Sequence, residues 1–165
     1  MKEKSIELLN KAVADELSAV HQYMYFHFHC DDQGFDLLAN LFKRISIEEM
    51  VHVERLAERI LFLGGDVEMK LSQEVKPVKD VREMLNMAAE MEESATVDYN
   101  NWANECSKNA DSVSKKLFED LVGDEEMHQD QYEDEMDNLK KYGDNYLALQ
   151  SIERSKNISG TKAAE

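Results

Sequence analysis

The sequence predicts an all-α fold, an antiparallel four-helix bundle with a short fifth helix at its C-terminal end. Three observations lead to this prediction. Glycine is scarce and Pro77 is the one proline in 165 residues, so little in the chain interrupts helices. Apolar residues recur at helical spacing in four long segments, and no segment alternates as a half-buried strand does. Two pairs of these segments also repeat one another, as a duplicated helical hairpin would.

The first helix is predicted from about Ser5, a candidate N-cap, to about Cys30. Turn residues fill positions 31–34, and so short a connection makes the second helix an antiparallel neighbour. We predict this second helix from about Phe35 to Leu63, with Gly64-Gly65 ending it. The first hairpin therefore occupies roughly the first 65 residues.

A polar, irregular stretch from Asp66 to about Lys79 is long for a loop, so we predict a crossover that spans the bundle between helices 2 and 3. The third helix should run from about Asp80 to Cys106, and the fourth from Ser112, a candidate cap, to Gly143. A short fifth helix is expected from Asn145 to Arg154. One domain would then cover residues 1–154, followed by a disordered polar tail over 155–165.

Each long helix carries one carboxylate on an otherwise apolar, core-facing seam. These carboxylates are Glu16, Glu49, Glu92 and Glu125. His52 and His128 follow the second and the fourth of them by three residues, which places each imidazole on the same helix face as its carboxylate. Adding 76 to the residue number maps the first hairpin onto the second. It maps Glu16 onto Glu92, Tyr23 onto Tyr99, Cys30 onto Cys106, Glu49 onto Glu125 and His52 onto His128.

The chain carries 35 acidic against 19 basic residues, a formal net charge of −16. This excess argues against nucleic acid as a partner and would attract cations. Charges interrupt the N-terminal segment where a signal peptide needs an apolar run, and no segment reaches transmembrane length. We therefore expect a cytoplasmic protein with no membrane partner.

Four buried carboxylates cannot all stay as isolated anions, because desolvating each costs several kcal/mol. A cation is therefore expected among them. Carboxylate oxygens with two imidazoles and no thiolate suit iron or manganese better than structural zinc. One Glu from each of two helices, with Glu-x-x-His from each of the other two, is the ligand pattern of di-iron carboxylate bundles. Taken singly, each Glu-x-x-His is also compatible with a solvated helix face.

The remaining polar residues of the seams have two interpretations each. Tyr23 and Tyr99 either pack in the core with bonded hydroxyls or act beside the metals, the latter more so for Tyr23. His21 and His29 lie off the seam, as surface or interface groups, and His27 lies on it away from the carboxylates. The two cysteines fall towards opposite ends of the bundle, so no disulfide is predicted between them.

Several stretches of the sequence resemble bacterioferritin, and the resemblance covers nearly the whole chain. They are Glu16-Leu17-Ser18-Ala19-Val20-His21-Gln22-Tyr23, Ile47-Glu48-Glu49-Met50-Val51-His52, Ala57-Glu58-Arg59-Ile60-Leu61-Phe62-Leu63-Gly64-Gly65 and Asp124-Glu125-Glu126-Met127-His128. Asn145-Tyr146-Leu147-Ala148 corresponds to the short fifth helix of that family. The resemblance implies a ferritin-like fold. The extended tail after Arg154 and the crossover differ from better-known members.

Met50 makes the resemblance specific, because in that family a Met at this position is the axial ligand of a haem at a two-fold subunit interface. The resemblance implies the same role here. Spacing alone places Met50 away from the internal seam beside Ile47 and Val51, which is equally consistent with interface packing. A dimer interface follows from both interpretations.

The resemblance also implies a function: ferroxidase and iron store, in a homo-oligomeric shell of 24 subunits built from two-fold dimers. Two ferrous ions per subunit would be oxidised by dioxygen or hydrogen peroxide, with an electron-transfer partner for iron release. Glu49 and Glu125 would bridge the two irons. Glu16 with His52 would complete one coordination sphere, and Glu92 with His128 the other.

Three alternatives compete with this function. A DNA-protecting, Dps-like dodecamer places its metals between subunits, which a complete ligand set within one chain disfavours. A rubrerythrin-like peroxidase needs a four-Cys module, and the chain has two cysteines. A purely structural bundle needs core charges that pair among themselves, but the seams carry no lysine to pair with the carboxylates.

Overall fold

A computed structural model describes residues 2–162 of the chain. Within that range it contains five helices and no strand. These are α1 (Lys2–Asp32), α2 (Asp36–Phe62), α3 (Val81–Lys108), α4 (Ser112–Tyr142) and α5 (Asp144–Lys162). The helix α1 packs mainly against α2, and α3 mainly against α4. The predicted all-α bundle of two hairpins is confirmed.

Two apolar clusters fill the core, one towards each end of the bundle. The first joins the C-terminal half of α1 to the N-terminal half of α2, and the N-terminal half of α3 to the C-terminal half of α4. The second joins the opposite halves of the same helices. Neighbouring helices therefore run antiparallel. The four seam carboxylates fall between the two clusters on every helix.

The helix ends differ from prediction in two places. The N-cap prediction for Ser5 was wrong, since α1 begins at Lys2 and Ser5 is a buried residue inside it. Ion pairs of Glu7 with Lys4 at 3.1 Å and Lys11 at 2.7 Å support this first turn. Asp111, rather than Ser112, caps α4 through its side chain. This choice gives the cap a charged acceptor at the positive end of the helix.

The crossover between α2 and α3 is held along α1 by side chains that the sequence analysis did not single out. Ser18 Oγ accepts hydrogen bonds from the backbone amides of Ser72, at 2.9 Å, and Gln73, at 3.1 Å. Gln22 pairs with both backbone groups of Lys76, at 2.8 and 3.0 Å. The crossover is therefore an ordered strap across the α1 side of the bundle.

The fifth helix is longer than the sequence indicates. It continues through residues 155–162, where the sequence predicts a disordered tail, and residues 163–165 of that tail lie outside the described part of the chain. A polar composition led to the prediction. However, residues 155–159 hold neither proline nor glycine, so a helix begun at Asp144 can propagate through them. Arg154 also ties α5 to Asp36 at 3.3 Å.

Cys30 and Cys106 are buried free thiols in different apolar clusters, so they are not placed to bond with each other. Burial raises the pKa of the Cys30 thiol to about 12. None of the helices in residues 2–162 is both long and apolar enough to cross a membrane.

Candidate metal centre

The layer between the two apolar clusters is polar and almost inaccessible. Six side chains from four helices converge there, each at most 3% exposed. They are Glu16 from α1, Glu49 and His52 from α2, Glu92 from α3, and Glu125 and His128 from α4. The structure thus brings together all six residues that the sequence proposes as metal ligands.

These side chains form two overlapping groups, each able to hold one cation. Glu16 and His52 belong to the first group, and Glu92 and His128 belong to the second. Glu49 and Glu125 belong to both. Within each group the potential ligand atoms lie within 4.8 Å of one another. Two cations sharing two carboxylates is the arrangement that this geometry allows.

The imidazoles direct the same nitrogen towards the shared carboxylates. His52 Nδ1 lies 2.8 Å from Glu49 Oε2 and 3.0 Å from Glu125 Oε1. His128 Nδ1 lies 3.2 Å from Glu49 Oε1. The two rings stack with centroids 5.8 Å apart. The histidines therefore face one small volume between α2 and α4.

Several polar atoms in this layer lie close to one another but make no hydrogen bond within the protein. They are Glu49 Oε2, His52 Nδ1, Glu92 Oε2 and Glu125 Oε1. Buried polar atoms left unpaired are costly, so native proteins rarely keep them without a ligand. Four such atoms, all from the two groups, fit metal ligation as their function.

The electrostatics of the layer indicate the same need for positive charge. Burial raises the pKa of Glu49 and Glu125 well above the usual range, and the neighbouring carboxylates raise it further. Burial alone would lower the pKa of His52, but the nearby carboxylates of Glu125, Glu16 and Glu49 favour its protonated form, outweigh burial and raise the pKa. Without a metal the layer therefore retains protons, which incoming cations must displace.

Two further carboxylates hold the histidines from outside. His52 Nε2 on α2 lies 3.1 Å from Asp124 Oδ2 on α4, and His128 Nε2 on α4 lies 2.7 Å from Glu48 Oε2 on α2. A carboxylate on one imidazole nitrogen orients the ring and fixes the other nitrogen towards a metal. Helical periodicity singles out neither Glu48 nor Asp124, although the two positions are related by the same offset of 76.

Arginines of α2 hold these outer carboxylates in turn. Arg44 Nη1 lies 3.1 Å from Glu48 Oε1, and Arg55 Nη1 lies 3.3 Å from Asp124 Oδ2. Each side of the centre thus carries a chain from arginine through carboxylate to histidine.

Tyr23 and Tyr99 also bond across the bundle. Tyr23 donates a hydrogen bond from α1 to Glu92 Oε1 on α3, and Tyr99 donates one from α3 to Glu16 Oε1 on α1. Both phenols are fully buried, and burial followed by repulsion from the carboxylates raises their pKa. They stay protonated and act as donors to the carboxylates that belong to only one group each.

The other residues considered from the sequence lie away from this layer. Met50 is 54% exposed on the outer face of α2, beside the exposed side chains of Ile47 and Val51. His27 Nδ1 lies 2.8 Å from the carbonyl oxygen of Ala39, near the end of the bundle. His21 is exposed.

Comparison with known proteins adds an independent finding. The family model described as Ferritin-like domain matches residues 6–142. A bacterioferritin of Desulfovibrio desulfuricans is 38% identical over 147 residues, which cover 89% of this chain and 82% of that protein. The chain belongs to the bacterioferritin family. Another bacterioferritin, from Brucella melitensis, is 37% identical over 86% of this chain and 88% of its own.

A solved bacterioferritin structure also matches the fold. The X-ray structure of the Desulfovibrio desulfuricans protein superposes with a TM-score of 0.89 at 37% identity, covering 91% of this chain and 88% of that one. That structure shows a diiron site in different catalytic states. The bacterioferritin fold predicted from the sequence is confirmed, and family membership supports iron storage as the broad function.

Proposed function

We propose that this bacterioferritin is a ferroxidase that binds two ferrous ions within one subunit, oxidises them and stores the ferric product as mineral in a hollow shell. One observation carries the proposal: two groups of buried ligands that share Glu49 and Glu125. Separate sites for two metals would not need shared carboxylates. A purely structural bundle would not leave four buried polar atoms of these groups without a hydrogen bond.

The proposed roles follow from the two groups. Glu49 and Glu125 bridge the ions, Glu16 and His52 hold one of them, and Glu92 and His128 hold the other. Bridging anions bring two cations close together and stabilise the higher charge of the ferric state. Two ferrous ions supply two electrons, which with two protons convert dioxygen to hydrogen peroxide, or hydrogen peroxide to two waters. The protein binds and orients the ions, while the redox chemistry belongs to iron and its oxidant.

Tyr23 is proposed as a positioning residue in this reaction. It touches Glu92 and lines the cavity that leads to the centre. Its hydroxyl is protonated and points at a ligand, so its effect passes through Glu92.

Replacement of both shared carboxylates tests the proposal. Purified Glu49→Ala plus Glu125→Ala should lose rapid ferrous oxidation, followed by the absorbance of ferric product in air. Glu58→Ala plus Glu133→Ala is the matched control, since it removes the same charge from exposed positions of the same two helices. A wild-type rate in the first double variant would refute the proposal.

We further propose Met50 as an axial ligand of haem between two subunits. The residues present fit this group: an exposed thioether lies among exposed apolar side chains, which suits both haem iron and the face of a porphyrin. In Met50→Leu the Soret band of the purified protein should shift or vanish. A spectrum equal to that of the wild type would show that Met50 does not bind haem iron and only packs in the interface.

The assembly proposed is a homo-oligomer of 24 subunits in the cytoplasm. The mass of the native particle tests it, and a dodecamer or a free dimer would contradict it. A Dps-like dodecamer remains the alternative function, but both candidate ligand groups here lie within a single chain.

A further inference from the structure

A cavity of about 110 Å³ opens between α1 and α3, beside the crossover. These two helices pack against each other much less than either packs within its own hairpin, which leaves the space. All four seam carboxylates line this cavity. The cavity therefore connects the metal centre with the α1–α3 side of the bundle.

Two more carboxylates line the same cavity. Asp15 and Asp98 are partly buried, and each directly precedes a residue of the polar layer, Glu16 or Tyr99. Ser72 and Gln73 of the crossover line the cavity beside them. Among the described residues that line the cavity, six are acidic and none is a lysine or an arginine.

The unpaired atoms of the centre lie on this lining. Glu49 Oε2, Glu92 Oε2 and Glu125 Oε1 have no hydrogen-bond partner, and their residues are at most 2% exposed. Buried acceptor atoms without a hydrogen bond, in a cavity lined by six carboxyl groups and by no lysine or arginine, select a cation as the occupant of the cavity.

The opposite side of the centre is chemically different. A groove of about 230 Å³ between α2 and α4 reaches His52 and His128, but its carboxylates are already engaged. Glu48 and Asp124 are bound to the two imidazoles and to Arg44 and Arg55. Arg55 adds a positive charge to the lining of this groove, whereas no lysine or arginine lines the α1–α3 cavity, so the groove attracts a cation less.

From this contrast we infer that ferrous ions reach the centre from the α1–α3 side, and that Asp15 and Asp98 are the acidic mouth that draws them in. The inference rests on the proposed ferroxidase function and adds its access route. Carboxylates in a low-dielectric cleft focus the electric field, which raises the association rate of a divalent cation. Asp15 and Asp98 then act before binding and contribute little to final affinity.

Binding kinetics of Co²⁺, a redox-stable stand-in for Fe²⁺, test the mouth by stopped-flow absorbance. Asp15→Asn plus Asp98→Asn should lower the association rate about tenfold at low ionic strength. Added salt should narrow the difference, because it screens the field. The end point should stay at two Co²⁺ per chain. An association rate equal to that of the wild type at low salt would overturn the inference.

The matched control is Asp32→Asn plus Glu83→Gln. It removes the same charge from exposed positions on the same two helices. From the helical rise, Asp32 lies about 24 Å along α1 from Glu16, and Glu83 about 13 Å along α3 from Glu92. At about 0.1 M salt both distances exceed the Debye length of about 10 Å, so at that salt concentration this variant should bind at the wild-type rate while the mouth variant is still slower. A slowing equal to that of the mouth variant would mean that overall charge alone sets the rate.

Substitutions that block one side of the centre with a large uncharged side chain distinguish the two access routes. Ser94→Trp places a large ring on the lining of the α1–α3 cavity, and Met127→Trp places one in the α2–α4 groove. We expect slow Co²⁺ binding for Ser94→Trp alone. Slowing by Met127→Trp alone would move the access route to the α2–α4 side. Failure of the ferroxidase proposal would give a different result from failure of the access route. The wild-type protein would then bind Co²⁺ normally but would not oxidise ferrous iron.

Discussion

The hydroxyl of Tyr23 donates a hydrogen bond to Glu92 Oε1 across 2.5 Å, joining α1 to α3 at the level of the metal centre. The equivalent hydrogen bond in the second half of the repeat runs from α3 to α1, where Tyr99 donates to Glu16 Oε1 at 2.6 Å. Since α1 and α3 pack little against each other, this crossed pair of bonds positions the two carboxylates that belong to only one ligand group each. The two equivalent halves of the chain are thus joined by two equivalent hydrogen bonds.

Tyr23→Phe should weaken metal binding. A hydrogen bond to an ionised group contributes about 1.5–3 kcal/mol, so we expect at least a tenfold loss of Co²⁺ affinity in a titration. Burial raises the pKa of Glu92, but hydrogen bonds that include the one from Tyr23 lower it overall. Without this donor the pKa of Glu92 rises, so the loss should be larger at about pH 6 than at about pH 8.

Tyr132→Phe is the control for that variant. Its hydroxyl is buried without a hydrogen-bond partner, and its ring lies 5.4 Å from that of Tyr23. Removing this oxygen should leave Co²⁺ affinity almost unchanged. Equal losses in the two variants would mean that packing, rather than the bond to Glu92, accounts for the effect.

Asp124→Ala should lower Co²⁺ affinity about 10- to 100-fold, the usual effect of removing a carboxylate that orients a ligating histidine. The reason is that His52 Nε2 loses its partner at 3.1 Å and the ring is free to turn. Arg55→Gln should cost less, since Arg55 acts only through Asp124. Partial recovery of affinity in Asp124→Glu would support orientation. Unchanged affinity in Asp124→Ala would contradict it.

Asp111→Ala should destabilise the fold by about 2 kcal/mol near neutral pH, measured by urea unfolding. Asp111 caps α4 through the Ser114 amide at 3.0 Å and pairs with Arg59 at 2.7 Å. Burial alone would raise the pKa of Asp111, but these hydrogen bonds lower it from 3.8 to about 2. The stabilisation is therefore complete above about pH 4 and is lost as the pH falls towards 2.

Asp80→Ala removes a comparable helix cap and shows how much stability such a cap contributes by itself. Asp80 caps α3 through the Glu83 amide at 3.0 Å from an exposed position, so its loss should cost only about 1 kcal/mol. If Asp111→Ala cost no more than Asp80→Ala, the ion pair with Arg59 would contribute nothing to stability.

Helical periodicity predicts the four long helices and the crossover because each helix buries one apolar face, and that face must recur every three to four residues. Periodicity also identifies the six candidate metal ligands, because a polar or charged residue stands out on an otherwise apolar helix face. Periodicity cannot find Glu48 or Asp124, which flank the seam and look like ordinary surface acids. Their role depends on a neighbouring helix.

The strap formed by the crossover was equally hidden from the sequence. Ser18 and Gln22 are small or flexible polar residues whose importance comes from backbone groups more than 50 positions away. The polar composition of residues 155–162 predicts disorder, but these residues continue a helix that has already formed at Asp144. Composition does not show that extending an existing helix is easier than starting one. The cavity lined by Asp15 and Asp98 needs the relative placement of α1, α3 and the crossover, which no local pattern contains.

In the proposed centre, two metal ions within one subunit share Glu49 and Glu125. Anomalous X-ray scattering at the iron edge, from crystals soaked anaerobically with ferrous iron, measures this directly. We expect two peaks per chain on either side of Glu49 and Glu125, one next to His52 and one next to His128. A single peak per chain, or peaks only between chains, would contradict it.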